Sequence, residues 1–380
     1  MANTLTGLIP VIYKAMNKTA RELTGSILAV QQNRQDMNGV ETAAKDQTVR
    51  IPIAPATSLE SITPGATPAD SGDQVMTYTD IVMDQFYAAP IRWQGEEQLS
   101  LGSQYEDVLQ QQFEQAFRAF GNAIETDLCE LYKYGSRAYG TAGTTPFASS
   151  LADAAQAKKI LDDNGCPQGD RSMIINTTAG VKMRSLASLN ADYAAGTDQT
   201  LRQGTLLPLM GFDVKESAQI QTHTKGTATG FDANGGEPAG ETTIVVDGSD
   251  SGTILAGDVV TWVGDTNKYL VTSATASGAA TGNIVIGKPG LKATLADTVE
   301  GTIGDSYTAN MFFHRNAIVL ATRRPVGGDA AVDEMIVTDP FTGLSYRVAR
   351  YPQYMRNKIE IQLLWGVKVI KPEFIGVLLG

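Results

Sequence analysis

The chain of 380 residues carries only two cysteines and two histidines. Cys129 and Cys166 are too few for a disulfide framework, so a buried free thiol is expected at Cys129 and a reducing compartment fits. No Cys/His spacing matches a zinc site. His314, within Phe313-His314-Arg315-Asn316, has no acidic or cysteine neighbour in sequence. His223 and His314 are therefore expected to be structural or surface histidines rather than ligands. Long apolar runs are missing too. Nothing approaches the roughly 20 residues of a membrane-spanning helix, and the opening residues do not read as a signal peptide. Positive charge is short: Lys and Arg total 30 against 41 Asp and Glu, giving a net charge of −11 and a pI near 4.8. That balance excludes a nucleic-acid binder of the basic type and leaves only local basic patches.

The motifs of chemistry are equally scarce. There is no Walker A loop, no dinucleotide glycine fingerprint and no G-x-S-x-G elbow. Asp247, Asp250, Asp258 and Asp265 follow one another but miss the spacing of a calcium loop, so solvated turns are expected. Arg323 and Arg324 are as well suited to salt bridges as to phosphate. Without a nucleophile beside a base, and without a metal set, no enzymatic activity and no cofactor are expected.

What the chain does have is a long amphipathic stretch from Ser103 to Gly135. Leu109, Phe113, Ala116, Phe117, Phe120, Ile124, Leu128 and Leu131 recur at helical spacing. Ser103 with Glu106 reads as a capping box, Glu106 and Asp107 oppose the positive end of the macrodipole, and Gly135 reads as the stop. Such a helix is on the order of 45 Å long, a spine for other elements.

Before it, residues 1–47 hold short helical pieces with too little apolar surface for a core of their own. They are either a frayed terminus or an arm that orders against a neighbour. Residues 48–95 alternate in strand fashion around a Pro-, Ser- and Thr-rich tip containing Pro55, Pro64, Gly65, Pro68 and Gly72. One strand is expected at Thr48–Ile53 and one extended run from Gln74 to Trp93.

After the spine, Ser150 and Asp153 cap a predicted helix over 151–163, Ser172–Ile175 reads as a buried strand and Asn176 caps a third helix. Residues 190–205 read as a polar loop, and Leu206–Val214 as a strand interrupted at Gly211. This alternation is an α/β unit. Residues 222–306 are rich in Gly, Thr, Ala and Ser. Strands at Thr242–Val246, Asp258–Val263, Lys268–Thr272 and Asn283–Ile286, with turns at Asn234-Gly235, Asp247-Gly248 and Pro289-Gly290, predict a small barrel or sandwich. The α/β pattern resumes at Tyr307–Leu320. Strands follow at Met335–Val337, Ser345–Val348, Lys358–Leu364 and Val367–Ile370.

An arm, a long β excursion and a spine helix, each poorly buried alone, point to a subunit completed by copies of itself. The order of elements resembles major capsid proteins of tailed bacteriophages with the Hong Kong 97-type fold. It is most similar to coat proteins of short-tailed enteric phages, which carry a β-barrel insertion. The local text that carries the resemblance is Ala2-Asn3-Thr4-Leu5, the strand Thr48–Ile53, the stretch Gln94 to Leu101, Leu209-Met210-Gly211-Phe212-Asp213-Val214, Phe312-Phe313-His314-Arg315-Asn316-Ala317-Ile318, and the strands from Ser345.

The resemblance implies an α+β fold: an N-terminal arm at 1–47, an extended β-loop at 48–95, and a peripheral domain at 96–140 and 335–365. The axial domain would be 141–221, 307–334 and 366–380, and the all-β barrel insertion 222–306. It further implies hexamers and pentamers of an icosahedral shell, assembled in the host bacterial cytoplasm and carried in the virion. The implied partners are a scaffolding protein, a portal protein and double-stranded DNA held by weak non-specific contact, with room for a decoration protein and no membrane. The crosslinking triad of one branch finds no match here, so no crosslink is expected. The sequence opens directly on the arm, so a separate scaffold is expected. Arg21, Arg34 and Lys45 are candidates for the few DNA contacts. Arg50 and Arg92 of the loop, with Glu96, Glu97, Glu106, Asp107 and Glu114 of the spine region, are candidates for inter-subunit contacts. Alternatives are an encapsulin-like compartment, a phage surface or tail module binding carbohydrate through Phe231, Trp262 and Tyr269 of the insertion, and a cryptic hydrolase.

Overall fold

The computed structural model describes residues 5–17, 23–34, 40–41, 43–54, 59, 64, 75–190, 199–248, 252–275, 282–327 and 331–380. Ala2, Asn3, Thr4, Lys18, Thr19, Arg21, Gln35, Pro55, Gly65, Pro68, Gly72 and Asp250 lie outside the described residues. The chain divides into two compact units. One takes Met1–Tyr13, Gln32–Val108 and Val319–Lys368; the other takes Lys14–Gln31, Leu109–Ile318 and Val369–Gly380. The helix α1 (Leu5–Asn17) opens the chain and buries Ile12 and Met16, so this part of the arm is not bare.

The first unit is built on strands. The hairpin of β2 (Thr48–Ile53) and β3 (Thr77–Val82) pairs Val49 with Ile81 and Ile51 with Thr79. Alternation sends Val49, Ile51 and Ile81 to one buried side. The run expected as one strand from Gln74 to Trp93 is two. It breaks at Met83-Asp84, and β4 (Gln85–Gln94) leaves the hairpin to pair with β19 (Arg356–Val369), from Gln85 opposite Trp365 to Gln94 opposite Arg356. Both halves are equally rich in strand formers, so the change of partner leaves no mark in composition.

β19 joins a sheet in the order β1 (Gln31–Gln32), β16 (Ile318–Arg323), β19, β18 (Ser345–Gln353), β17 (Asp333–Thr338). The buried Arg347 guanidinium ties three strands together, reaching Glu334 at 2.6 Å, Gln362 at 2.7 Å and the Tyr351 hydroxyl at 3.1 Å. The two strands expected at 358–364 and 367–370 are one strand. Gly366 is no breaker: β3 crosses beside it, and a Cβ would collide with the Val82 carbonyl.

Next comes α3 (Gly95–Leu101), whose capping box is Gln94 with Glu97 rather than the expected Ser103 with Glu106. Gly102, at φ 54°, interrupts the helical path, and Gly102–Gln104 is one 3-10 turn. Ser103 is therefore inside a turn, and its side chain caps nothing there.

The spine helix is α4 (Tyr105–Cys129), continued as a 3-10 turn through Glu130–Tyr134. Its buried stripe is Leu109, Phe113, Ala116, Phe120, Ile124, Glu125, Leu128 and Cys129. Gly135 is extended, at φ −67°, so the left-handed stop expected there is absent. Glycine is needed for space, because a Cβ would lie 2.9 Å from Leu270 Cδ1.

From Leu109 on, the second unit has an α/β layer and a barrel. The α/β sheet runs β5 (Arg137–Tyr139), β20 (Ile375–Leu379), β15 (Tyr307–His314), β6 (Arg171–Ile175), β7 (Phe212–Glu216), with β8 (Thr222–His223) also on β15. β5–β20 and β6–β7 are parallel, and the pairs of β15 with β20 and β6 are antiparallel. Three short helices accompany α5 (Ala152–Asp163): α6 (Thr177–Ser185), α7 (Ala187–Asn190) and α8 (Gln199–Gln203). The core gathers Ile160, Leu161, Met173, Ile175, Met183, Phe212, Phe312 and Leu378.

Asn176 caps α6 as expected, accepting from Ala179 N–H at 2.8 Å. Ser150 Oγ meets Ala152 N–H, but Asp153 turns back to accept from Phe147 N–H at 2.7 Å rather than capping α5. The strand expected over 206–214 begins only at Phe212. Leu209 and Phe212 close a tight turn on Met210 and Gly211, both at positive φ (51° and 86°).

The insertion is a closed antiparallel barrel of six strands: β9 (Phe231–Ala233), β10 (Thr243–Gly248), β11 (Val259–Trp262), β12 (Lys268–Ala274), β13 (Gly282–Ile286) and β14 (Glu300–Ile303). The ladder runs β11-β14-β9-β10-β13-β12 and closes through β12–β11. Closure removes the open edges that a small sheet would expose. Phe231, Trp262, Val246, Val271, Ile284 and Ile286 fill it. Asp247-Gly248, read as a turn, instead pairs within β10 and β9. β12 also pairs with β5, Lys268 opposite Ala138, so the barrel is an extension of the α/β sheet.

Gly366→Ala is expected to cost about 2 kcal/mol or more, because neither the Val82 carbonyl nor a central strand can move aside. Equilibrium urea unfolding of the variant checks it.

Candidate assembly surface

In the first unit the charged candidates lie on β2, near the end of β4 and in the first turns of α3 and α4. Arg50 is exposed on β2, its Nε donates to Asp80 across the hairpin at 3.1 Å, and its guanidinium lies 5.4 Å from the Tyr78 ring centroid. Arg92 is exposed on β4 opposite Lys358. Glu96 and Glu97 are exposed in the first turn of α3, where Glu97 accepts from Gln94 N–H at 2.9 Å. Glu106 and Asp107 are exposed in the first turn of α4. These four carboxylates lie at the positive ends of two helices, where each adds some tenths of a kcal/mol. Glu114 belongs to the second unit and accepts from Gln110 Nε2 at 2.9 Å. The structure thus gathers Arg92, Glu96 and Glu97 where β4 passes into α3, and leaves Arg50 apart on the hairpin.

Beside them is a feature the sequence reading did not single out. Arg356 pairs with Gln94, so the β18–β19 turn lies next to the start of α3. That turn presents Tyr354, 92% exposed, and Met355, 76% exposed and at φ 54°. Leu99 on α3 is 77% exposed. Tyr78, Val82, Phe86 and Tyr87 add exposed apolar surface along β3 and β4. Two large apolar residues at a hairpin tip were the available signal, hidden because Tyr354-Met355 adjoins a long strand pattern.

The groups examined for chemistry turn inward. Asp258, expected in a solvated turn, is fully buried and accepts from His223 Nε2 at 2.8 Å, Gly226 N–H at 3.0 Å and Leu255 N–H at 2.7 Å. The other imidazole nitrogen faces the Tyr132 hydroxyl at 2.9 Å. Burial pushes the Tyr132 hydroxyl up to about 12, helped by Glu130 and Asp258. Tyr307 donates to the Gly257 carbonyl at 2.6 Å. The cluster joins the end of the spine, the two strands that lead into and out of the barrel, and a barrel turn.

Asp265 accepts from the Tyr269 hydroxyl at 2.6 Å, and Asp247 stands on β10. Among the described residues, no group of three or more His, Cys, Asp or Glu side chains is placed to hold a metal. His314 is buried and its Nδ1 accepts from Asn316 N–H at 3.1 Å. Burial is the main cause holding it below the usual histidine range. Arg323 donates to the Glu41 carbonyl at 3.2 Å. Cys129 is a buried free thiol, pushed up to about 12 first by burial and then by Glu125. A groove of about 320 Å³ is lined by Thr145, Thr178, Thr222, Ser306 and Thr308, and neither His223 nor Asp258 reaches it. Phe231, Trp262 and Tyr269 are all buried in the barrel, so they offer no ring platform to a sugar. No helix among the described residues is long and apolar enough to cross a membrane.

The spine, the α/β layer and the strand unit define a mixed α+β fold. Among solved structures the chain is similar to one from Mycobacterium phage Che8, with a TM-score of 0.51 at 13% identity, covering 95% of this chain and 92% of that one. The asymmetric unit of the bacteriophage PhiM1 mature capsid follows, with a TM-score of 0.49 at 12% identity over 96% and 88%. The virus-like particle from Pyrococcus furiosus gives 0.42 at 9% identity over 97% and 98%. No family model and no curated protein matches the chain. At these identities the likeness is one of fold.

Asp258→Asn is expected to cost about 3 kcal/mol, since a charged acceptor of three donors is replaced by an amide that must turn its own N–H toward one of them. Thermal unfolding of the variant reads the loss.

Proposed function

We propose that this chain is a shell-forming subunit: the major capsid protein of a tailed bacteriophage, assembled as hexamers and pentamers around double-stranded DNA. The single observation that carries the reading is the apolar surface that the first unit leaves uncovered on β3, β4, α3 and the β18–β19 tip. Exposed apolar surface of that kind marks a partner surface. The mixed charges beside it, Arg92 and Arg356 with Glu96, Glu97, Glu106 and Asp107, are self-complementary, which suits a second copy. Likeness of fold to phage shell chains over nearly the whole length supports the same reading.

In this reading 1–47 is the arm, 48–95 the loop lying over a neighbour, 96–140 with 335–365 the peripheral domain, 141–221 with 307–334 and 366–380 the axial domain, and 222–306 the insertion. Arg50 and Arg92 of one copy meet Glu96, Glu97, Glu106, Asp107 or Glu114 of the next. Scaffolding and portal proteins would act during assembly, as for any closed shell with one special vertex. The net charge of −11 suits a lining that does not grip DNA, because many phosphate contacts would oppose packaging.

Negative-stain microscopy and sedimentation of the expressed chain, alone and with a co-expressed scaffold, test this. Closed shells, tubes or sheets are expected, and their nucleic-acid or protein content separates a phage shell from a cargo compartment. A chain that stays monomeric at high concentration, with the scaffold present, overturns the reading. Arg92→Glu is expected to lower assembly at least tenfold, on the order of 1.4 kcal/mol per contact. Arg92→Glu with Glu106→Arg restores part of it if that pair bridges copies.

A further inference from the structure

Asn164-Gly165 and Asn234-Gly235 are the Asn-Gly pairs among the described residues; Asn38-Gly39 lies outside them. A glycine nitrogen has no side chain beside it, so it can approach the asparagine Cγ and close a succinimide ring. The local sequence is the same in both pairs, and only the fold separates them. At Asn164 every arm of the amide is held. Nδ2 donates to the Glu373 carbonyl at 2.7 Å and to Ser136 Oγ at 3.1 Å, and Oδ1 accepts from the Arg137 guanidinium at 3.1 Å. The Gly165 N–H is occupied as well, donating to the Asp162 carbonyl at 2.9 Å. Cγ cannot turn toward that nitrogen without breaking this set of bonds.

Asn234 is the opposite case. It follows β9 and is exposed, and among the described residues no hydrogen bond holds its side chain. Its backbone N–H donates to the Val245 carbonyl at 2.8 Å, which fixes the start of the turn. Gly235 stands at φ 100°, and a Cβ there would meet nothing within 4 Å, so no packed group covers the turn. The Gly235 N–H donates to Asp297 Oδ1 at 2.8 Å, from the connection between β13 and β14. Asp297 is exposed too. A carboxylate placed on the proton that has to leave is the arrangement of a general base.

We propose that Asn234-Gly235 is a self-modifying site, at which Asp297 draws the proton from the Gly235 nitrogen and the chain deamidates itself with water as the co-reactant. The nitrogen bonds to Asn234 Cγ as its proton passes to Asp297 Oδ1. The Cγ–Nδ2 bond then breaks. Nδ2 takes that proton and leaves as ammonia, and a succinimide remains. Water adds to either ring carbonyl and cleaves its bond to the nitrogen. Opening at the main-chain carbonyl carbon gives isoaspartate at position 234, whose main chain runs through the side-chain carbon; opening at Cγ gives aspartate. In sum, one amide and one water become one carboxylic acid and one ammonia. The new negative charge arises beside Asp297. The adjoining strands already set Asp232 opposite both Asp247 and Glu300, and like charges directly opposite destabilise a sheet. Isoaspartate also displaces the bonds around the turn, from Ala233 N–H to the Val299 carbonyl and from Asn234 N–H to the Val245 carbonyl. The modification therefore loosens the barrel at the turn after β9. The proposal concerns a single copy and holds whether or not the chain builds a shell.

Peptide mapping by mass spectrometry tests it, on the folded full chain aged in neutral buffer made with heavy-oxygen water. The ageing lasts as long as the same chain unfolded in urea takes to convert at both pairs. In the folded chain, conversion at residue 234 is expected, with the label in the new carboxyl. Asn164 in the same sample is expected to convert on the order of a hundredfold more slowly, since misplacing the reacting atoms costs about that much. Asp297→Asn is expected to slow conversion at residue 234 by about tenfold or more, as loss of a general base does. The comparison of the two asparagines needs no variant, so it decides the matter even where Asp297→Asn fails to fold. An intact amide at residue 234, equal conversion of both asparagines, or an unchanged or faster rate in folded Asp297→Asn overturns the proposal.

Discussion

Asp258 is a fully buried carboxylate, and the second unit is arranged around meeting its demand for donors. His223 supplies one at the strand that leads into the barrel, and the backbone of Gly226 and Leu255 supplies the others. The imidazole is committed on its far side to Tyr132 at the end of the spine, and Tyr307, on the strand leaving the barrel, holds Gly257 next to the aspartate. Loss of any partner would strand a buried polar group, which costs more than the bond gained by forming it. A six-stranded barrel joined to a sheet through a two-residue pairing of β12 with β5 is thereby fixed at a second point.

The same logic operates at Glu125. There the donors are the backbone N–H groups of Ser26 and Ile27, about a hundred positions earlier in the chain. Two buried acids in one unit thus draw distant segments together. One is met by an imidazole and two backbone N–H groups, the other by two backbone N–H groups of α2 (Gly25–Ala29). The first unit shows the opposite pattern. Its buried polar groups, Arg347 with Gln362 and Glu360 and Asp339 with Thr342, lie within one sheet and its turn, while large apolar side chains such as Tyr354, Met355 and Leu99 are exposed.

Much of this was readable along the chain. The apolar stripe of the spine, the Asn176 cap, the buried strand at 171–175 and most barrel strands follow from spacing and local chemistry, because each involves residues a few positions apart. The misreadings share one cause. Ser103 with Glu106 has the right letters for a capping box, but the left-handed Gly102 places Ser103 in a turn, and Gln94 with Glu97 caps instead. Gly135 and Gly366 resemble stops, yet each is small because another segment passes against it. Of the charged candidates, their surface position was legible. The hairpin tip beside them was not, since exposure is a property of the packed chain.

The sequence by itself determined the kinds of elements, their order, the acidic balance and the absence of any enzyme signature, for these depend on local periodicity and composition. Only the tertiary structure decided which strands pair, that the insertion closes on itself, and that Asp258, His223 and Glu125 are buried rather than solvated. The physical reason is range. Hydrophobic period and turn chemistry act over a few residues, whereas burial of a charge is set by donors up to about a hundred positions away, which meet it only once the chain has folded.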